Sequence, residues 1–268
     1  MIGIEWIIAF LVLGAVVGFM AGLLGIGGGG IMVPTLTTIF LAQGVPVEQV
    51  VHLALGTSMA AIVMTSFASM RAHQSHNNIL WDVFKMMSIG VVLGTFAATF
   101  LATYLKSAQL AIFFSIFMAY VSIQMAIDKK PKPTRELSGA KGLFCAGSFI
   151  GAISALVSIG GGSLTVPYLV WQNVDLKKAI GTSAAIGFPL SIAGTVGYIV
   201  NGWGEGFSSS GMSAGFVYLP AVVLISLVSF FTAPYGAKVA HKLPVAKLKK
   251  VFALLLMILS IKMLTSIL

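Results

Sequence analysis

The chain has 268 residues, of which 58% are hydrophobic and 9% charged, with 16 Lys and Arg against 7 Asp and Glu. Soluble domains carry roughly 25% charged residues, so this composition excludes one and indicates an integral membrane protein. The net charge of +9 reads first as topology, because basic residues collect on the cytoplasmic side of a membrane, and second as a basic mouth that concentrates anions; without a soluble basic domain, nucleic acid is not an expected partner.

The first apolar stretch, Trp6 to Val47, would make a helix of roughly 63 Å, about twice the ~30 Å hydrocarbon core. It must double back. The turn is expected at Gly27-Gly28-Gly29-Gly30, the poorest helix formers in the stretch, with Pro34 placed to begin a second helix. The stretch lacks a basic start and is too long for a signal peptide, so it is read as mature structure. Three spans are expected next, near Val50 to Met70, Val83 to Tyr104 and Ala108 to Ile127. Asp128 to Glu136 is the only dense polar stretch. Gly142 to Val174 then repeats the broken hairpin at roughly 50 Å, with Pro167 in the place of Pro34. Spans near Ala179 to Val200, Gly215 to Ala240 and Leu248 to Leu268 complete the chain. Charge-free windows such as Met86 to Leu105 and Ser107 to Ile127 reach the ~20 residues a crossing helix needs, and strand alternation is absent, which excludes a β-barrel.

The hairpins carry one phrase twice: Gly18 to Pro34 contains Gly-Ile-Gly-Gly-Gly-Gly-Ile-Met-Val-Pro, and Gly151 to Pro167 contains Ser-Ile-Gly-Gly-Gly-Ser-Leu-Thr-Val-Pro. Gly56-Thr57-Ser58 recurs as Gly181-Thr182-Ser183, Ser66 falls opposite Ser191, and Leu110 to Met125 aligns with Leu248 to Met263 without a gap. The chain therefore divides into a first repeat (1–127), a linker (128–140) and a second repeat (141–268). Orientation follows from three basic clusters: Arg71, His73, His76 and Lys85; Lys129, Lys130, Lys132 and Arg135; and Lys238, Lys242, Lys247, Lys249 and Lys250. Placing all three in the cytoplasm turns the two halves in opposite directions, with Lys106 left outside. The expected fold is an all-α polytopic membrane protein of two inverted-topology repeats, each a glycine-broken hairpin, re-entrant or paired, plus three transmembrane helices.

A glycine run at membrane depth survives only inside protein or beside a wet cavity. Gly27, Gly28, Gly29 and Gly160, Gly161, Gly162 are thus candidates to bind an anion through backbone N–H groups at the starts of the helices near Pro34 and Pro167, with Gly30 and Ser163 as hinge positions. Close helix packing through small residues is the alternative reading. Thr57, Ser58, Thr182 and Ser183 are expected to offer hydroxyl donors to the same cavity, although hydroxyls in membrane helices often bond back to their own carbonyls. Gln124 and Lys262 are expected to snorkel to the interface. All seven carboxylates fall at predicted ends or loops, leaving no acid for a buried proton relay. His52, His73, His76 and His241 read as solvated or interfacial and lack metal-ligand spacing, and Cys145 reads as a small apolar packing residue. No enzyme motif, metal site or cofactor site is expected.

The residues Gly18-x3-Gly22-x2-Gly25-x-Gly27-Gly28-Gly29-x3-Val33-Pro34, their echo Gly151-x8-Gly160-Gly161-Gly162-x3-Val166-Pro167, and the two Gly-Thr-Ser elements resemble the sulfite exporter TauE/SafE family, also called the 4-toluene sulfonate uptake permeases. The echo departs from the first copy at Ala155 and Ser158, where glycines stand in the first. The resemblance implies movement of small sulfur-containing anions, such as sulfite or sulfonates, across prokaryotic inner membranes. The residues themselves support a small anionic substrate and a lipid bilayer as partners. They leave open an anion channel or a non-transporting scaffold, as well as oligomeric state, coupling ion and direction of transport.

Overall fold

A computed structural model describes residues 3–24, 28–127, 135–204, 212–240 and 245–267. Ten α-helices account for nearly all of them. α1 (Ile4–Leu24) and α2 (Gly29–Ala42) form the first hairpin, followed by α3 (Val47–Ser75), α4 (Trp81–Tyr104) and α5 (Ser107–Ile127). α6 (Ala140–Val157) and α7 (Gly162–Trp171) form the second, followed by α8 (Leu176–Asn201), α9 (Leu219–Ala240) and α10 (Val245–Ile267).

Eight of these helices are long and apolar enough to cross a membrane. The exceptions are α2 and α7, with 14 and 10 residues; at 1.5 Å per residue they reach about 21 and 15 Å, short of the ~30 Å core. Each hairpin thus combines one crossing helix with one that stops inside the protein. Backbone ends at that depth require protein or a cavity around them, and the burial of Ile31, Met32, Val33 and Leu36 on α2 supplies it.

α3 and α8 are the most buried spans and pack on each other at the centre. Around them α1 lies on α9 and α4 on α6, through glycines that leave no space for a side chain. Gly18 and Gly22 face the backbone of Ser229 and Ala233, while Gly147 and Gly151 face that of Met87 and Val91. Lipid tails are as apolar as the helices, so close backbone approach, and not burial from water, holds such pairs together. The leading glycines of the repeated phrase are therefore packing residues.

α5 and α10 run antiparallel along a seam of serines. The Ser115 hydroxyl donates to the Ser260 carbonyl (3.0 Å), Ser260 donates to the Ser115 carbonyl (2.7 Å), and Ser122 donates to the Ala253 carbonyl (2.6 Å).

Several expectations need correction. Pro34 and Pro167 do not begin helices: α2 starts at Gly29 and α7 at Gly162, and each proline lies inside its helix. Each proline is the sixth residue of its helix, past the first turn, so it forgoes the ladder bond its N–H would make to the carbonyl four residues back, that of Gly30 or Ser163. The ninth helix starts at Leu219, not Gly215; before it, Ser213–Ala214 and Val217–Tyr218 form a two-stranded antiparallel hairpin that turns at Gly215 with φ +55°. His52 is buried, not solvated: its Nε2–H donates to the Ala102 carbonyl (2.9 Å) and its ring lies 5.2 Å from that of Phe216. Cys145 is exposed on the outer face of α6 and packs no core. The described carboxylates Glu5, Glu48 and Asp82 sit in first helical turns, and Asp175 caps α8 through the N–H groups of Lys177 and Lys178. Negative charge is favourable there. Asp128, Glu205 and His241 lie outside the described residues.

Candidate functional site

The two glycine breaks approach each other in the protein interior. Gly29 abuts the carbonyl oxygen of Ser158, so a Cβ there would collide with the second break. Ser158 itself is in the left-handed conformation (φ 49°) at the end of α6 and fully buried. Gly28 and Gly161 occupy matching positions one residue before α2 and α7, with φ +40° and +77°. Both carbonyls close the first turn of the helix that follows: Met32 donates to Gly28 (3.0 Å) and Thr165 to Gly161 (2.8 Å).

A cavity of about 420 Å³ reaches the second break. Gly160 and Gly162 line it from the break, Ser183, Ala184 and Gly187 from α8, and Ile62, Thr65, Ser66, Ser69, Ala72 and His73 from α3. Ala21 and Gly22 of α1 and Ala233 and Pro234 of α9 close its far wall. It extends to Ala72, which is exposed at the C-terminal end of α3 beside the first basic cluster. Among the described lining residues the only titratable side chain is that of His73.

The predicted site residues separate into three groups. Gly160, Gly162 and Ser183 line the cavity, and the Ser183 hydroxyl, 1% exposed, has no hydrogen-bond partner. The hydroxyl of Ser163, at the start of α7, is also buried and unpartnered. Gly161 stands between these residues in the chain. Thr57 and Thr182 are not among the residues lining this cavity, and each hydroxyl accepts a backbone N–H from the other half of the chain. Tyr218 donates to Thr57 (3.0 Å) and Leu80 to Thr182 (2.9 Å), securing the residues that precede α9 and α4. The described residues of the first break are packed against other side chains. Gly28 faces Val17, Gly30 faces Met118 and Leu256, and Ser58 is buried with an unpartnered hydroxyl. Gly27 lies outside the described residues. Pro34 is buried within α2, and Pro167 lies in α7.

The sequence reading missed further buried, unpartnered hydroxyls at Ser154, Ser158 and Thr165, all within or beside the second phrase. Their signal is the polar substitution of that phrase: Ser158 and Thr165 stand where the first copy has Gly25 and Met32. Ser66 and Ser191 meet at 3.2 Å, although each also bonds back to a carbonyl three residues earlier. Lys262 is exposed near the end of α10, and Gln124 is half-buried. Among the described residues no group of three His, Cys, Asp or Glu side chains comes together as a metal site.

A short helix thus starts at a glycine break beside hydroxyls without partners, and the comparison with known proteins says in what kind of protein. The sulfite exporter TauE/SafE family profile matches residues 10–263. The chain belongs to this family. It is 38% identical to a probable membrane transporter protein of Haemophilus influenzae, across 96% of this chain and 98% of that one. A probable membrane transporter protein of Methanocaldococcus jannaschii is 29% identical, across 87% of this chain and 86% of its own, and one of Bacillus subtilis is 27% identical, across 87% and 89%. No solved structure matches the chain. This TauE/SafE member is an integral membrane protein of the transporter class and not an enzyme.

Proposed function

We propose that the chain is a secondary transporter of small anions, sulfite or an organosulfonate, that works by alternating access in a prokaryotic inner membrane, with its substrate site at the glycine breaks. The observation that carries the reading is the Ser183 hydroxyl, buried, unpartnered and in the wall of a cavity whose end is the start of α7. The N–H groups of Gly162 and Ser163 have no acceptor inside that helix, and an anion satisfies such groups while meeting the positive end of the helix dipole. Sulfur comes from the description of the family, a sulfite exporter. Inverted halves are supported by reciprocity: Thr57 and Thr182 hold matching backbone groups in each other's half, and the α5–α10 seam pairs matching serines with matching carbonyls.

Binding of sulfite and 4-toluenesulfonate to the purified protein, followed by thermal shift and by counterflow in proteoliposomes, tests the reading. The parent should be stabilised by one of these anions. Ser183→Ala should weaken that binding about 10- to 150-fold, the value of a hydrogen bond to a charged partner, while remaining monodisperse. A parent that responds to none of the anions, or a Ser183→Ala protein that binds like the parent, would overturn it. Counterflow separates a transporter from a channel, whose continuous pore gives neither trans-stimulation nor alternating access.

A further inference from the structure

The register that sets Ser183 on Ser58 and Ser191 on Ser66 also pairs Tyr198 with His73, and the register that sets Gly151 on Gly18 pairs Ala155 with Gly22. His73 and Gly22 both line the open cavity. Their counterparts are in contact instead: the Tyr198 hydroxyl donates to the Ala155 carbonyl at 2.9 Å, and both residues are 0% exposed. The inversion extends along the wall. Ala184 and Thr65 line the cavity, whereas their counterparts Met59 and Leu190 are fully buried, Met59 against Gly194. One face of the α3–α8 centre is thus open and the matching face is packed shut. By the basic cluster at Arg71 to Lys85, the open face is the cytoplasmic one.

We propose that Tyr198 is the outer gate of the transporter, its ring filling the counterpart of the open cavity and its hydroxyl latching α8 to α6 at the Ala155 carbonyl. The inference rests on the alternating-access reading above. A phenol is suited to this work, because its ring packs as a large apolar body while its hydroxyl takes a single partner in a dry interior. His73, in the same place on the open face, marks where the inner gate forms when the cavity closes. A ligand or variant shifts such a two-state protein only by its differential effect on the two states. Loss of the latch should therefore shift the balance toward the outward-open form by about 2- to 10-fold, the population change of one hydrogen bond.

The test uses the full chain with Cys145→Ala, in sealed vesicles without substrate, and a membrane-impermeant maleimide. Met59→Cys reports the outer face and Ala184→Cys the cytoplasmic face. In the parent, Ala184→Cys should label from the cytoplasmic side and Met59→Cys should resist label from outside. Adding Tyr198→Phe, which keeps the ring, should raise outside labelling of Met59→Cys about 2- to 10-fold, Tyr198→Ala should raise it further, and cytoplasmic labelling of Ala184→Cys should fall. Unchanged labelling in both Tyr198 variants would overturn the gate. So would a parent in which Met59→Cys labels from outside as fast as Ala184→Cys does from the cytoplasm, a result that needs no Tyr198 variant to fold. Sulfite counterflow in the same vesicles is read separately: its absence with the expected labelling strikes the substrate reading and leaves the gate standing.

Discussion

Gly28 and Gly161 occupy matching places before the two short helices, yet the structure assigns them different tolerance for a side chain. At Gly161 the nearest atoms to an added Cβ are Leu190 Cδ1 and Thr165 Oγ1, both at 3.5 Å, an ordinary contact. The cost of Gly161→Ala is then the positive φ of +77° alone, about 1–2 kcal/mol. At Gly28 the Cβ collides with Val17 Cγ1, and Val17 is 1% exposed with no room to retreat. Overpacking adds about 1–3 kcal/mol to the backbone term, so Gly28→Ala should cost about 2–5 kcal/mol in total. Thermal unfolding of both variants without ligand provides the comparison, and a double-mutant cycle provides the mechanism. Val17→Ala opens a void on its own, but combined with Gly28→Ala it should recover about 1–3 kcal/mol, because the new methyl occupies the space the valine leaves. If Gly28→Ala is no more destabilising than Gly161→Ala, or if Val17→Ala brings no recovery, the packing argument fails. Substrate affinity then separates structure from function, since Gly161→Ala, with its mild fold cost, should still weaken anion binding at the second break.

Thr57→Val and Thr182→Val should each destabilise the fold by about 1–3 kcal/mol, by leaving the Tyr218 or Leu80 N–H without its acceptor, whereas Thr57→Ser and Thr182→Ser should stay near the parent; equal losses for serine and valine in thermal unfolding would remove the hydroxyl from the explanation. In a Cys145→Ala background, an impermeant maleimide should label Asn77→Cys only from the cytoplasmic side and Lys106→Cys only from outside, and labelling of both from the same side would rule out the orientation assigned from the basic clusters.

Five of the six long spans outside the hairpins were legible because each contains an uncharged window of membrane length, the last span being read from its match to Leu110 to Met125, and their bounds shift by at most a few residues. The starts of α2 and α7 were not, because the sequence signal for a helix start is proline at its first position, and the structure instead carries each proline past the first turn, with α2 beginning at Gly29 and α7 at Gly162. The hairpin at 213–218 carries two residues per strand, too few for any alternation to register. Thr57 and Thr182 stand out in the sequence as a pair, but the bonds the structure gives them reach Tyr218 and Leu80, 161 and 102 residues away, and no local pattern encodes such a meeting. His52 illustrates the same limit, since a histidine one turn into a helix reads as interfacial until α5 and Phe216 cover it. The asymmetry of the site, with the second break beside the cavity and Gly28 and Gly30 of the first packed against side chains, rests on contacts between distant helices and so is invisible in two nearly equal phrases.

The serine seam between α5 and α10 has the form of an isologous contact, in which residue i meets j and j meets i, the mark of a symmetric dimer. Here the self-complementary surface lies within one polypeptide, and Ala253 stands where perfect symmetry would ask for a fourth serine. Because the contact is held within a single polypeptide, its two sides need not be equal, and Ser122 keeps its bond to the Ala253 carbonyl although Ala253 offers no hydroxyl in return.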